Sequence, residues 1–312
     1  MTAFVVVNPR SAGGRTRREW KTLAGTLEVH FPEFDFAFTR HRGDATTLVR
    51  NALGEGHHEI IAVGGDGTIN ESINGFFDAN GQISPDAVFA FITSGTGGDF
   101  RKTFEIEPGI EAGLARLKSA KVRPVDVGRV SCLGSDGTPT VRYFVNIASF
   151  GLSGVIVDKV NRARIAKLFG GSFAFAFHSA TAMIAYRPRA VRVMLDNGFD
   201  EIASISTAAV ANGQYFGGGM RVAPGAVPDD GVFDVVIMGA STKARSLADL
   251  NQIYTGEHLA NPAVRVVRAH RVVAAPIAEN RARPVLIETD GESAGRLPAT
   301  FDILPKALNL RC

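Results

Sequence analysis

Cysteine is scarce in this 312-residue chain. Its two cysteines, Cys132 and Cys312, lie far apart, and the second is the last residue. That usage reads as free thiols of a reducing compartment, not as a disulfide or a metal site. No apolar run reaches the ~18 residues that a membrane-spanning helix needs. The opening Ala3-Phe4-Val5-Val6-Val7 and Asn8-Pro9 lacks the basic start, long apolar region and small-residue cleavage site of a secretory signal. Zinc-finger spacing, RNA-binding consensus and basic–aromatic repeats are also missing, so nucleic acid is not the expected partner. Neither Gly-Lys-Ser nor Gly-Lys-Thr occurs, which excludes the usual P-loop. The protein-kinase catalytic and metal-binding sequences are absent too. The chain has no internal repeat and no low-complexity tract.

Glycine, by contrast, is plentiful at 34 residues, and it falls in short clusters rather than at a fixed period. Such clusters suit turns packed close to a ligand. Charge is mild at +3, but Arg10, Arg15, Arg17 and Arg18 bunch near the start. They read either as a solvated helix surface or as an attractor for nucleotide phosphates or anionic lipid headgroups.

The first half alternates strand and helix patterns. Strands are expected at Ala3–Val7, Phe34–Phe38, Glu59–Val63 and Ala87–Ile92, with helices near Arg15–Val29, Asp44–Leu53, Ile69–Phe77 and Gly109–Leu117. Such repeats predict an α/β nucleotide-binding domain on a parallel sheet, with binding loops at the carboxyl ends of its strands. Beyond Val122 the runs Val141–Ser149, Ala190–Leu195, Ile202–Ala211, Val232–Met238 and Val264–Ala274 read as strands with few helices between them. Helices are expected near Ser153–Ile165, Ser172–Tyr186 and Thr242–Tyr254. The fold expected is therefore an α/β domain over 1–123, a mainly antiparallel β-rich domain over 124–284, and a segment 285–312 that returns to the first domain.

Val63-Gly64-Gly65-Asp66-Gly67-Thr68-Ile69-Asn70-Glu71 carries the strongest local signal. An apolar strand runs into three glycines, an aspartate and a threonine, and a helix follows. Glycines let backbone N–H groups approach phosphate oxygens, and the helix start adds donors. Asp66 repels bare phosphate, so its role runs through Mg²⁺ or through the polar groups of a nucleotide. Thr93-Ser94-Gly95-Thr96-Gly97-Gly98-Asp99-Phe100 and Asn8-Pro9-Arg10-Ser11-Ala12-Gly13-Gly14 follow two other predicted strands. In a parallel sheet all three loops emerge at one edge.

With these loops, the chain resembles the diacylglycerol-kinase catalytic family, which includes sphingosine and ceramide kinases and bacterial lipid kinases. The resemblance spans nearly the whole chain: Asn8-Pro9-x-Ser11-x-Gly13-Gly14, Thr39 with Gly43-Asp44-Ala45, and Gly64-Gly65-Asp66-Gly67-Thr68 with Asn70-Glu71. It continues through Gly95-Thr96-Gly97 with Asp99-Phe100, Asn146 with Gly151, and Asp290-Gly291-Glu292. Gly98 stands where the family usually has Asn. The resemblance implies an ATP- and Mg²⁺-dependent lipid kinase, with ATP on the first domain and the lipid at the interdomain cleft. The cofactor-binding set is then Asn8, Ser11, Gly13, Gly14, Thr39, Gly64, Gly65, Asp66, Gly67, Thr68, Glu71, Gly95, Thr96 and Asp99. Asp290 becomes the base that accepts the lipid hydroxyl's proton, Glu292 sets its position or joins the metal network, and Asp66 stands on the nucleotide–metal side.

Two further segments matter. Asp229, Asp230 and Asp234 surround a turn into a strand, an oxygen cluster of the kind a hard cation prefers. The resemblance places a structural or regulatory Mg²⁺ on Asp229 and Asp230, while an Asp-rich turn without metal fits the same residues. Phe169–Tyr186 is apolar nearly all round with small residues between aromatics, which suits either a buried helix or the wall of a lipid pocket. Arg162, Arg164 and Lys167 precede it and could meet anionic headgroups, and His178 reads as packed. The expected acceptor is diacylglycerol or a related glycerolipid, reached by peripheral contact of a cytoplasmic protein with the inner face of the membrane. A homodimer stays open. The competing readings are an NAD kinase and a catalytically silent lipid- or nucleotide-binding regulator.

Overall fold

The computed structural model describes residues 2–29, 31–93, 98–119, 121–162, 185–240, 250–277 and 284–312. The expected helix Ser172–Tyr186, Arg164, Lys167, His178, Gly95 and Thr96 fall wholly or mainly outside them. Two compact units divide the chain: Met1–Val127 together with Pro305–Cys312, and Gly128–Leu304.

In the first unit, β1 (Ala3–Val7) pairs in parallel with β2 (Phe34–Phe38) and β3 (Glu59–Gly64), and β3 pairs in parallel with β6 (Val88–Thr93). Between them, β4 (Phe77–Asp78) and β5 (Gly81–Gln82) form a minimal antiparallel pair. The register aligns Val7 with Phe38 and Val63, and Gly64 with Thr93, so four strands end at one level. β3 is buried at every position, as a strand covered on both faces must be, which explains its unbroken apolar run.

Helices α1 (Ser11–Glu28), α2 (Asp44–Gly54), α3 (Asp66–Asn74), α4 (Asp99–Thr103) and α5 (Ile110–Ser119) fill the connections. Trp20, Leu23 and Leu27 of α1 pack with Val5, Val7 and Val63 of the sheet. The chain end joins the same sheet, with Asn309 and Leu310 parallel to Val88 and Phe89. Arg311 pins it there through two bonds to Glu59, at 2.6 and 2.9 Å.

The long strand β7 (Val122–Leu133) leads into the second unit, where it pairs antiparallel with β8 (Pro139–Phe144). The rest of this unit is built from β9 (Ile147–Gly151), β10 (Arg189–Leu195), β11 (Asp200–Ala211), β12 (Phe233–Gly239), β13 (Val264–Ala269), β14 (Arg271–Pro276), β15 (Leu286–Thr289) and β16 (Glu292–Arg311). Among the described residues its α-helices are α6 (Leu152–Arg162) and the short α7 (Leu250–Thr255). Pairing runs β9–β11–β10–β14–β16–β15 and back to β9, with every step antiparallel. This closed circuit is a barrel, which removes the free edges an open sheet would leave. Phe144, Phe150, Val193, Val210, Ile287 and Phe301 are among the residues of its core.

The closed ring corrects the expected fold class. A parallel sheet does not organise the chain, because antiparallel pairing predominates among the described residues. Among the described residues, parallel pairs join β1, β2, β3, β6 and the final residues of β16. The barrel is not legible in the sequence because closure depends on which strands β15 and β16 pair with, and no local pattern reports that.

Two expected strands are each broken in two, for the same reason. Val141–Ser149 breaks between β8 and β9, where the Asp290 carboxylate takes the N–H groups of Val145, Asn146 and Ile147. Val264–Ala274 breaks at His270, where Asp196 takes the N–H groups of His270 and Arg271. In each case a distant aspartate captures consecutive amides.

Candidate active site

The four aligned strand ends of the first unit gather the predicted phosphate loops. Asn8, just past β1, donates its backbone N–H to Val63 O at the end of β3 at 2.9 Å and its Nδ2–H to Thr68 Oγ1 at 3.0 Å. Ser11 Oγ donates to the Asn8 carbonyl at 2.7 Å, closing the turn. Thr39, past β2, donates its N–H to Val7 O at 2.9 Å. Asp66 opens α3, and its Oδ2 accepts the Asp99 N–H at 3.0 Å, joining the loops after β3 and β6. Asp99 itself faces Lys102 at 3.3 Å.

Gly13 and Gly14 hold positive φ of 65° and 85°, and no atom stands within 4 Å of where a Cβ would be. Gly65 has the same open space, whereas a Cβ on Gly64 would run into Thr68. The Gly64–Gly65–Asp66–Gly67 turn therefore combines open backbone, a helix N-terminus and a carboxylate. Gly98 adopts φ 111°, a conformation that Asn takes only with strain, so its departure from the family pattern goes with this loop's backbone.

Not every predicted residue joins this group. Glu71 turns to the start of α2, where its carboxylate accepts the Gly43 N–H at 2.8 Å and its carbonyl accepts the Thr46 hydroxyl at 2.7 Å. It braces α2 on α3, and the carboxylate suits the helix N-terminus electrostatically.

In the second unit, Asp290 sits between β15 and β16 with φ 48°. Its Oδ2 accepts Val145 N–H at 3.1 Å, and its Oδ1 accepts Asn146 and Ile147 N–H at 3.1 and 3.0 Å. Its own N–H donates to Ile147 O at 2.9 Å. Three backbone donors thus fix the carboxylate's plane. Glu292 follows, half-buried, at the start of β16.

Sequence reasoning missed Glu288, although an acid ending the apolar run Val285-Leu286-Ile287 was a visible signal. It is 2% exposed. Burial pushes its carboxyl up to about 8, with Asp290 and Glu292 adding to the rise and hydrogen bonds from Ser149 and Gly291 opposing it. Unfolded, the group ionises near 4.5. The folded state therefore keeps a proton that the unfolded state releases. That contribution to stability is whole below about pH 4.5 and is lost as pH rises through about 8. Urea unfolding across this window should show a wild-type slope steeper than that of Glu288→Gln by up to ~1.4 kcal/mol per pH unit. Parallel slopes would place the proton elsewhere.

The acid turn near β12 is partly paired. Arg268 pairs with Asp230 and also reaches Asp234 at 3.4 Å, while the other Asp230 oxygen accepts Val232 N–H at 3.2 Å. Burial raises the Asp234 carboxyl above the usual range, and Arg268 opposes that shift. One guanidinium is thus shared between the Asp230 and Asp234 carboxylates of this turn. Among the described residues, no group of three or more His, Cys, Asp and Glu is arranged to hold a metal ion.

Known proteins align with this geometry along the whole chain. Residues 2–130 match the diacylglycerol kinase catalytic domain, and residues 146–312 match the YegS C-terminal NAD kinase beta sandwich-like domain. A diacylglycerol kinase of Staphylococcus aureus (strain bovine RF122 / ET3-1) is 28% identical over 305 residues, covering 96% of this chain and 88% of the relative. One from Staphylococcus saprophyticus is 26% identical over 305 residues, covering 96% and 91%. A diacylglycerol kinase structure from Bacillus anthracis str. Sterne superposes with a TM-score of 0.71 at 21% identity, over 99% of this chain and 96% of that one. At that identity the likeness speaks for the fold alone. The chain belongs to the diacylglycerol kinase catalytic family and is, as a member, an ATP-dependent lipid kinase.

Proposed function

We propose that this kinase transfers the γ-phosphate of ATP to a hydroxyl of diacylglycerol or a close glycerolipid. The observation that carries the reading is the convergence of Asn8, Thr39, Gly64–Thr68 and Asp99 at the aligned strand ends of the first unit. Backbone N–H groups at the start of α3 receive phosphate oxygens, with Gly13, Gly14 and Gly65 leaving room for approach. Asn8 and Ser11 hold the neighbouring turn. Gly95 and Thr96 complete the set by resemblance. Asp66 and Asp99 offer carboxylate oxygens, so the donor set fits a Mg²⁺–nucleotide, and Mg²⁺ when bound would neutralise charge on the transferring phosphoryl group. The first unit is thus assigned to ATP and the second to the lipid.

Asp290 orients the acceptor hydroxyl and takes its proton. A carboxylate held by three amides is a weak base, but a loose transition state asks little of the base until late in the transfer. Glu292, on the same turn, supports its placement. The relatives' printed activity makes diacylglycerol the first acceptor to test. Among the described residues no helix is long and apolar enough to cross a membrane, and we assign lipid access to peripheral contact at the inner face.

Mixed micelles offering diacylglycerol, phosphatidylglycerol, ceramide and sphingosine in competition test the acceptor. A labelled product dominated by phosphatidic acid is expected, and a dominant label on a sphingoid lipid would overturn the assignment. Because Asp230 already pairs with the exposed Arg268, Asp230→Asn should leave the Mg²⁺ dependence of the rate unchanged and cost below ~1 kcal/mol of stability. A rightward shift of the Mg²⁺ curve would establish a second metal there.

A further inference from the structure

Glu288 belongs to a hydrogen-bonded group that reaches from α6 to the Asp290 turn. Its Oε2 accepts the Gly291 N–H at 2.8 Å. Its Oε1 and Ser149 Oγ form a short hydrogen bond, and Ser149 Oγ reaches Ser153 Oγ at 2.7 Å. Ser149 has one hydroxyl proton and two oxygen partners. Ser149 donates to Glu288 Oε1, and the Ser153 hydroxyl, which carries its own proton, continues the group, so the three side chains form one hydrogen-bonded chain. Both serines are buried, as is Glu288.

The elements around this chain are set close. Ser153 lies in the first turn of α6. At Gly154 a Cβ would overlap the Leu286 carbonyl, whose carbon would stand 2.6 Å away. Small residues therefore let α6 rest on the backbone of β15, and Glu288 ties the two together. The turn beyond is backbone-strained, with φ of 48° at Asp290 and 83° at Gly291. An Asp at positive φ is uncommon and persists where surrounding contacts over-determine it. The Gly291 N–H bond to Glu288 is one such contact, and it acts on the residue next to Asp290.

We propose that Glu288 is a positioning residue for Asp290: it fixes the turn through the Gly291 N–H, while Ser149 and Ser153 fix Glu288 itself. The inference rests on the role proposed above for Asp290. It differs from a packing role in what the side chain must present, namely an acceptor to Gly291 and a hydrogen-bonding group to Ser149. Leucine fills similar space and offers neither. Glutamine offers both, its carbonyl to Gly291 and its amide N–H to Ser149.

The test compares Glu288→Leu, Glu288→Gln and Ser149→Ala by steady-state kinetics and by the ¹⁵N–¹H amide signal of Gly291. Glu288→Leu is expected to lower kcat by about 10²-fold, the effect of an ångström-scale misplacement, with a shifted Gly291 amide. Its KM for ATP should stay within about twofold, because uniform nucleotide binding is untouched. Glu288→Gln should keep kcat within a few-fold and leave the Gly291 amide in place. Where Asp290→Asn lowers turnover, wild-type kcat in the leucine variant would overturn the proposal, as would equal damage in the glutamine and leucine variants.

Should Glu288→Leu fail to fold, Ser149→Ala carries the comparison. A lowered kcat with a displaced Gly291 amide supports the proposal, and unchanged values for both overturn it. A failure of the base assignment is separable, since it shows as wild-type turnover in Asp290→Asn. A Gly291 amide displaced in the leucine but not the glutamine variant supports the lock regardless.

Discussion

Asp290→Asn is expected to lower phosphoryl transfer by ~10²–10⁴-fold, the usual worth of a positioned general base. It should also destabilise the second unit, and this follows from the hydrogen-bond inventory. The Asp290 carboxylate accepts three backbone N–H groups, two on Oδ1 and one on Oδ2. Asparagine replaces one of these oxygens with an amide NH2 group, which sets a donor against at least one N–H donor. Leaving a part-buried amide without its acceptor costs about 1–3 kcal/mol. The positive φ itself adds nothing, because Asn tolerates that region as well as Asp. Steady-state rates, ATP binding and thermal unfolding should therefore be measured together. Lost stability with retained turnover would make Asp290 an anchor of the Val145–Ile147 backbone and nothing more. Lost turnover with retained ATP binding supports its proposed role.

The second large effect concerns two adjacent glycines that should respond differently. A Cβ at Gly64 would stand 2.7 Å from Thr68 Cβ and 3.0 Å from Thr68 Cγ2. Thr68 cannot retreat easily, being 5% exposed and bonded through Oγ1 to Asn8. Gly64→Ala should therefore push α3 away from β3, costing ~1–3 kcal/mol as overpacking does. Nucleotide binding should fall with it, since the phosphate loop is the displaced segment. Gly65 has φ −106°, which any residue can adopt, and no atom lies within 4 Å of its would-be Cβ. Gly65→Ala should keep wild-type stability yet weaken ATP binding by at least about tenfold, because the methyl group enters the space assigned to phosphate. Calorimetric titration with ATP and thermal melts of both variants decide the matter. Wild-type ATP affinity in Gly65→Ala would remove the phosphates from this turn.

How far the sequence disclosed the molecule differs between its halves. The strands of the first unit were legible because each is a compact β-branched or aromatic run that stops at a glycine or proline signal. Ala3–Val7 and Glu59–Gly64 end within a residue of their expected limits. The barrel was not legible. Its strands Val141–Ser149 and Val264–Ala274 look continuous, and only tertiary contacts from Asp290 and Asp196 interrupt them. No local propensity reports an aspartate arriving from 145 or 75 residues away. The acid turn at Asp229–Asp234 illustrates the converse. Its carboxylates are visible, but the arginine that pairs with them comes from β13. Glu288 stands beside the more conspicuous Asp-Gly-Glu turn, yet a charged residue in a buried run is the more unusual feature.

Transfer of label from γ-³²P-ATP in the presence of Mg²⁺ to diacylglycerol micelles, with NAD in a parallel reaction, tests the central claim most directly. The account predicts labelled phosphatidic acid and unlabelled NAD. Label on NAD, or none on any lipid from protein that binds ATP, would contradict it.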